Sequence, residues 1–247
     1  MVARKGLAWL AITDHDTVAG LEEAGERAGR VGIGFVPGVE LSVDFRDQDF
    51  HILAYWIAPA DPELTRLLEQ ASRSRVERAR RILTLLHPLG LTLRMEEVER
   101  QALLSRSLGR AHIARALVES GQVGTFAEAF DRYLGCRAPA YVPKETVDPV
   151  RALTILRGAG GVPVLAHPGI YRLEGALEVL LQGGLAGIET EHPTHTAEQA
   201  ANLRRLATRH GLVATGGSDF HGGDSAQSLI GTTKVEARTL DELYARR

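Results

Sequence analysis

Ala11–Gly20 reads AITDHDTVAG. An apolar run, Leu7–Ile12, stops at Thr13-Asp14-His15-Asp16, and Val18, Leu21, Ala24 and Ala28 then recur at helical spacing. The pattern predicts a buried strand, a loop bearing carboxylates and an imidazole, and a helix over Thr17–Gly29. Asp14 and Asp16 have a plainer reading, as turn and N-cap residues.

The same plan returns along the chain. Phe35–Glu40 (FVPGVE) reads as a short strand ending in a carboxylate. Leu41–Asp44 and Phe50–Trp56 read as strands flanking a turn at Asp47, with His51 opening the second. From Asp61 the texture changes. Leu64, Leu67, Leu68, Ala71, Ala79, Ile82, Leu83 and Leu86 mark one long amphipathic helix ending near Pro88. Its polar face carries Arg73, Arg75, Arg78, Arg80 and Arg81, either a solvated face or a track for phosphates. Shorter helical patterns follow at Met95–Leu104, Arg110–Glu119 and Phe126–Leu134, the last with Thr125 and Glu128 as a capping box.

After Pro143 the α/β alternation resumes. Asp148-Pro149 is an N-cap followed by Pro at the first helical position. Val162–Ala166 is a strand delivering His167, and Glu174–Gln182 is a helix. Ala186–Glu191 is a strand delivering Glu189, Glu191, His192 and His195. Thr196 with Gln199 caps a helix reaching His210, and Leu212–Thr215 leads through two glycines to Ser218-Asp219-Phe220-His221. Thr239 with Glu242 is expected to cap a last short helix. Strands alternating with helices imply parallel strands in an α/β fold. The expected division is 1–62 and 141–247 as two parts of one barrel, with 63–140 as an all-helical insertion.

The composition bounds function. In 247 residues, 44% are hydrophobic and 24% charged, with a net charge of −2, so no overall basic field points to double-stranded DNA. The single cysteine, Cys136, permits no internal disulfide, which makes a reducing cytoplasm the expectation. No run approaches the ~20 apolar residues of a membrane span. Met1–Gly6 reads as the tail of a helix stopped by Gly6, so the chain is expected to lack what normally precedes it.

Residues at the carboxyl ends of barrel strands form the active sites of that architecture. His15, Glu40, His51, His167, Asp219 and His221 all fall there, with Asp14, Glu189, His192 and His195 nearby. Mixed imidazoles and carboxylates favour zinc, iron or manganese over magnesium. Ions so held can clamp a phosphate and activate water, which is the chemistry of phosphoester hydrolysis. Arg110 and His112, in GRAHIA, open a helix whose N-terminus would favour an anion. His87 and His210 lie near helix ends and read as surface or dipole partners.

AITDHDTVAG, VPGVELSV, HILAYWI, GRAHIARALVESG, AFDRYLG, PAYVPK, GGVPVLAHPG, GIETEHPTH and GGSDFHG together resemble the PHP (polymerase and histidinol phosphatase) family of metal-dependent phosphoesterases. The likeness is greatest to its TrpH-like branch of 3',5'-nucleoside bisphosphate phosphatases and a 5'-to-3' exoribonuclease. It covers essentially the whole chain, helical insertion included. It implies a distorted seven-stranded (β/α) barrel with two or three divalent metals, manganese foremost, iron or zinc otherwise. The implied metal ligands are His15, Glu40, His51, His167, Asp219 and His221, with Glu40 as the bridging carboxylate. Glu40, His221 and Asp14 are the implied catalytic groups, and Arg110, His112 and His195 the implied contacts to substrate phosphate. The substrate would be a small nucleotide or short RNA.

One part of the family pattern has no counterpart. The first strand, bearing His-x-His, and the helix after it, about two dozen residues, are absent from this sequence. Either the start is assigned too late, the chain is cut, or the protein itself lacks them; in the last case the ion held by that histidine pair is expected to be weak or lost. Two other readings follow: a histidinol-phosphate-type phosphatase, against which the GRAHIA segment argues, or a non-catalytic binder of phosphorylated ligands.

Overall fold

The computed structural model describes residues 2–46, 48–102, 107–220 and 230–247. Asp47, at the expected hairpin turn, the last two residues expected in the helix from Met95, and His221 lie outside the described residues. The chain divides into two compact units, Met1–Thr65 with Thr146–Arg247, and Arg66–Glu145. No helix among the described residues is long and apolar enough to cross a membrane.

In chain order the strands are β1 (Trp9–Ile12), β2 (Gly34–Phe45), β3 (Gln48–Tyr55), β4 (Val162–Leu165), β5 (Gly187–Glu191) and β6 (Val213–Gly216). The α-helices are α1 (Leu21–Arg30), α2 (Pro62–Leu86), α3 (Met95–Ala102), α4 (Arg110–Glu119), α5 (Phe126–Ala129), α6 (Pro149–Gly158), α7 (Ala176–Gln182), α8 (Ala197–His210) and α9 (Ala237–Tyr244).

Among the described residues the six strands all lie in the first unit, in one sheet ordered as in the sequence. β1–β2, β4–β5 and β5–β6 pair parallel, whereas β3 runs antiparallel to both neighbours. This is an α/β distorted barrel, with β3 as its exception to parallel pairing. β4 is buried along its whole length, as a strand covered on both faces must be. Leu53, Val162, Val164, Ala166, Val213 and Leu243 form a common core beneath it.

Local chemistry explains most element ends. Asp148 accepts the Arg151 N–H at 3.0 Å ahead of Pro149, and Thr196 and Gln199 close a reciprocal capping box on α8. Gly6 has φ +71°, the left-handed stop expected of it, although Val2–Lys5 is a 3-10 turn.

Several expectations need correction. The first strand, expected to be buried, alternates between exposed and half-buried residues along Trp9–Ile12. The FVPGVE and LSVD segments are one continuous 12-residue strand, because their backbone pairs without a break to β1 and then β3. α1 starts at Leu21, not Thr17, because Asp16 adopts φ +52° and its carboxylate accepts the Ser42 N–H at 3.1 Å instead of capping a helix. Thr239 is buried inside α9, whose N-cap is Glu236. Glu128 accepts from Gly124 N–H at 2.8 Å, one residue before the Thr125 cap, so that box is only half formed.

The second unit is helical. Ile82, Leu86, Val98, Ile113, Leu117 and Leu134 are buried in its core. α5 runs on into a wider π turn, Phe130–Leu134, closed by Gly135 N–H donating to Phe130 O at 2.8 Å.

Candidate metal centre

Each candidate side chain arrives from a different strand. His15 follows β1, and its backbone bridges to Glu40 in β2. In the β2–β3 register Glu40 faces Leu53 and Ser42 faces His51, so Glu40 and His51 are diagonal neighbours on one face. His51 lies within the antiparallel β3, three residues after its start rather than at its opening as expected, and the reversed direction brings it level with the carboxyl end of β4. His51 O accepts the Ala166 N–H at 3.0 Å, which places His167 beside it at the end of β4. Asp219 follows β6.

The cluster is centred on one oxygen. Glu40 Oε1 lies 2.8 Å from His51 Nδ1, 3.3 Å from His167 Nε2 and 3.7 Å from His15 Nδ1. His51 Nδ1 and His167 Nε2 are themselves 3.2 Å apart. Glu40 is 5% exposed. Burial alone would push its carboxyl up, but the neighbouring His15 charge and the bonds from His167 and His51 hold it well below the usual carboxylate range. Burial pushes the His167 imidazole down, and the bond to Glu40, with Glu189 and Asp219 close by, outweighs that and raises it.

These residues fit a divalent cation. His15, Glu40 and His51 each offer a ligand atom, all within 4.8 Å of one another. Three ring nitrogens converging on one carboxylate oxygen is a nitrogen–oxygen donor set suited to manganese, iron or zinc. His167 Nδ1 is also buried with no hydrogen-bond partner among the described residues. A cation held here supplies Lewis acidity toward a phosphoryl oxygen and lowers the pKa of water. The protein's own part is to hold Glu40 ionised and the three imidazoles aimed at it.

Other expected residues divide. Asp219, with φ +47°, places Oδ2 3.6 Å from His192 Nε2. The His192 ring is tied at Nδ1 by the Thr194 N–H at 3.2 Å. Asp14 is exposed, and its carbonyl accepts the Glu40 N–H at 3.2 Å. His195 has both ring nitrogens engaged: Nδ1 faces Thr190 O at 3.0 Å and Nε2 accepts the Gly169 N–H at 3.0 Å. In the second unit His112 Nδ1 accepts the Gly109 N–H at 3.0 Å, and burial lowers its pKa. Arg110 donates to Leu134 O at 2.9 Å between the rings of Phe130 and Tyr141. The cluster also has backbone supports, at Asp16 and Glu189, whose roles spacing did not reveal. Asp16 bonds Ser42, and Glu189 Oε2 accepts the His167 N–H at 2.8 Å. Burial pushes the Glu189 carboxyl up to about 7.

No family model matches the chain. It is 35% identical to a 3',5'-nucleoside bisphosphate phosphatase of Chromobacterium violaceum, over 94% of this chain and 83% of the relative. It is 34% identical to a 5'-3' exoribonuclease of Haemophilus influenzae, over 88% and 80%. Among solved structures, one described as an amidohydrolase from Chromobacterium violaceum with bound sulfate and no metal superposes with a TM-score of 0.89 at 34% identity, covering 99% of this chain and 88% of that one. Another, described as a metal-dependent phosphoesterase from Bifidobacterium adolescentis, gives 0.90 at 29% identity with the same coverage. With relatives of this identity and span, and with Glu40 gathering imidazoles from β3 and from the ends of β1 and β4, the chain belongs to the PHP family of metal-dependent phosphoesterases, which are hydrolases.

Proposed function

We propose that this phosphoesterase hydrolyses a phosphomonoester of a small nucleotide, a 3',5'-nucleoside bisphosphate, or acts at the 5' end of a short oligoribonucleotide, with manganese as its preferred metal and iron or zinc as substitutes. The convergence of His15, His51 and His167 on Glu40 Oε1 carries the reading. The names of the relatives, a nucleoside bisphosphate phosphatase and 5'-3' exoribonucleases, support the substrate class. Asp219 and His221 complete the proposed ligand set, and Asp14 joins Glu40 and His221 as a proposed catalytic group. Arg110 and His112 are proposed to contact the phosphate; His195, whose ring nitrogens are engaged by Thr190 O and the Gly169 N–H, would do so only by exchanging one of those bonds. Arg110 has N–H groups beyond the one given to Leu134 for that purpose. A cytoplasmic setting accords with the single cysteine.

The test is phosphate release from 3',5'-bisphosphorylated adenosine, and mononucleotide release from a 5'-phosphorylated short RNA, with manganese, iron or zinc supplied. Glu40→Ala should abolish turnover, and Arg110→Ala should raise KM. No release from either substrate with any of the three metals overturns the proposal.

A further inference from the structure

His167 sits at φ 30° and ψ 51°, in the left-handed region that a non-glycine residue rarely adopts. Such a conformation persists only where its surroundings over-determine it. Pro168 follows, and the Ala166 N–H ahead of it is already given to His51 O. The Ile170 N–H donates to His167 O at 3.4 Å, and a further constraint comes from β5. Glu189, 4% exposed at the middle of that strand, accepts the His167 N–H on Oε2 at 2.8 Å.

The other oxygen of the same carboxyl faces the next strand end. A Cβ placed on Gly217 would lie 2.9 Å from Glu189 Oε1, closer than real Cβ contacts come. Gly217 is two residues before Asp219. Glu189 thus occupies the space between the loop that carries His167 and the loop that carries Asp219. A buried carboxyl is costly unless its oxygens are used. A leucine would fill the same space and offer nothing to the His167 N–H.

We propose that Glu189 is a positioning residue of the metal centre: it pins the main chain of His167 on one side, abuts Gly217 on the other, and so sets the spacing between His167 and Asp219. The inference rests on the reading of the cluster as a metal site. Groups that orient ligands from behind typically change metal affinity about ten- to a hundredfold when removed. Here the group orients the ligand through its backbone.

The experiment is calorimetric titration of the chelator-stripped protein with Mn²⁺, alongside steady-state kinetics, for Glu189→Gln, Glu189→Leu, Gly217→Ala and Glu40→Ala. The glutamine amide oxygen can still accept the His167 N–H, so Glu189→Gln should stay within threefold of the parent in Mn²⁺ affinity. Glu189→Leu and Gly217→Ala should each weaken it about tenfold or more, with kcat falling in step and KM nearly unchanged. Should Glu189→Leu fail to fold, Gly217→Ala and Glu189→Gln decide. Parent-like Mn²⁺ binding by Glu189→Leu or Gly217→Ala, with binding lost in Glu40→Ala, overturns the positioning role and leaves the site intact. A loss in Glu189→Gln as large as in Glu189→Leu also overturns it, because charge or direct ligation would then be the role. Unchanged binding in Glu40→Ala overturns the metal site itself.

Discussion

Nδ1 of His51 lies 2.8 Å from Oε1 of Glu40, across the antiparallel pair of β2 and β3. The pair is buried on the carboxylate side, so removing either partner takes the shortest contact from the other. In the metal-free protein at pH 6, His51→Ala should cost about 1–3 kcal/mol, the penalty of a buried polar group left short of a partner. Combined with Glu40→Ala the losses should be less than additive, with a coupling of about 1–2 kcal/mol. Urea unfolding of the four proteins in chelator gives both quantities. Full additivity would show that the two do not interact.

Asp16 holds the loop after β1 against β2. Its carboxylate accepts the Ser42 N–H at 3.1 Å and the Ser42 hydroxyl at 3.4 Å, from a left-handed backbone. Asp16→Ala loses both bonds and meets a backbone strain that Asn tolerates. Asp16→Asn should therefore cost about 1 kcal/mol and Asp16→Ala about 2–3 kcal/mol. Both should weaken Mn²⁺ binding, because His15 is the preceding residue. Thermal and urea unfolding give the order, and equal losses in the two variants would reject it.

Gly38 has no room for a side chain. A Cβ there would lie 2.7 Å from Thr13 Cγ2 and 2.8 Å from the Ala54 carbonyl oxygen, which cannot step aside without moving a strand. Gly38→Ala should destabilise by about 1–3 kcal/mol through overpacking. It should also lower Mn²⁺ affinity, since Glu40 lies two residues further along the same strand. A stable variant with unchanged affinity would contradict this.

Glu189 gives a pH dependence with a definite sign. Its carboxyl is raised from 4.5 to about 7 by burial, so between those values the folded chain holds a proton that the unfolded chain has released. Its stabilising contribution is complete below about 4.5 and is lost as pH rises through 7. In chelator, the stability of the parent should fall relative to Glu189→Gln as pH is raised across this window. Parallel stability curves for the two proteins would show that Glu189 does not titrate there.

Several elements were legible in short range. Asp148-Pro149, Thr196 with Gln199 and the stop at Gly6 each act within about four residues, and the structure repeats them. Where a distant partner intervened, local signals misled. Asp16 resembles an N-cap until Ser42, 26 residues away, takes its carboxylate. The break expected after Glu40 vanishes because β1 and β3 together pair β2 along its length. Glu191, Thr190 and Gly169 likewise hold side chains that a linear reading could only place nearby, as with the two bonds that engage the His195 ring.

By itself the sequence determined the α/β alternation, the helical character of the stretch 61–138, and which side chains carry ligand chemistry, though Glu40 and His51 stand within their strands rather than at the ends. Those follow from periodicity, capping and residue type, all of which act along the chain. Only the tertiary structure decided that β3 also lies antiparallel against β4, that three imidazoles share a single oxygen of Glu40, and that Glu189 supports His167 through its backbone. Such relationships join residues 11 to 127 positions apart, and their energies come from burial and hydrogen bonds that exist only once separate strands lie side by side.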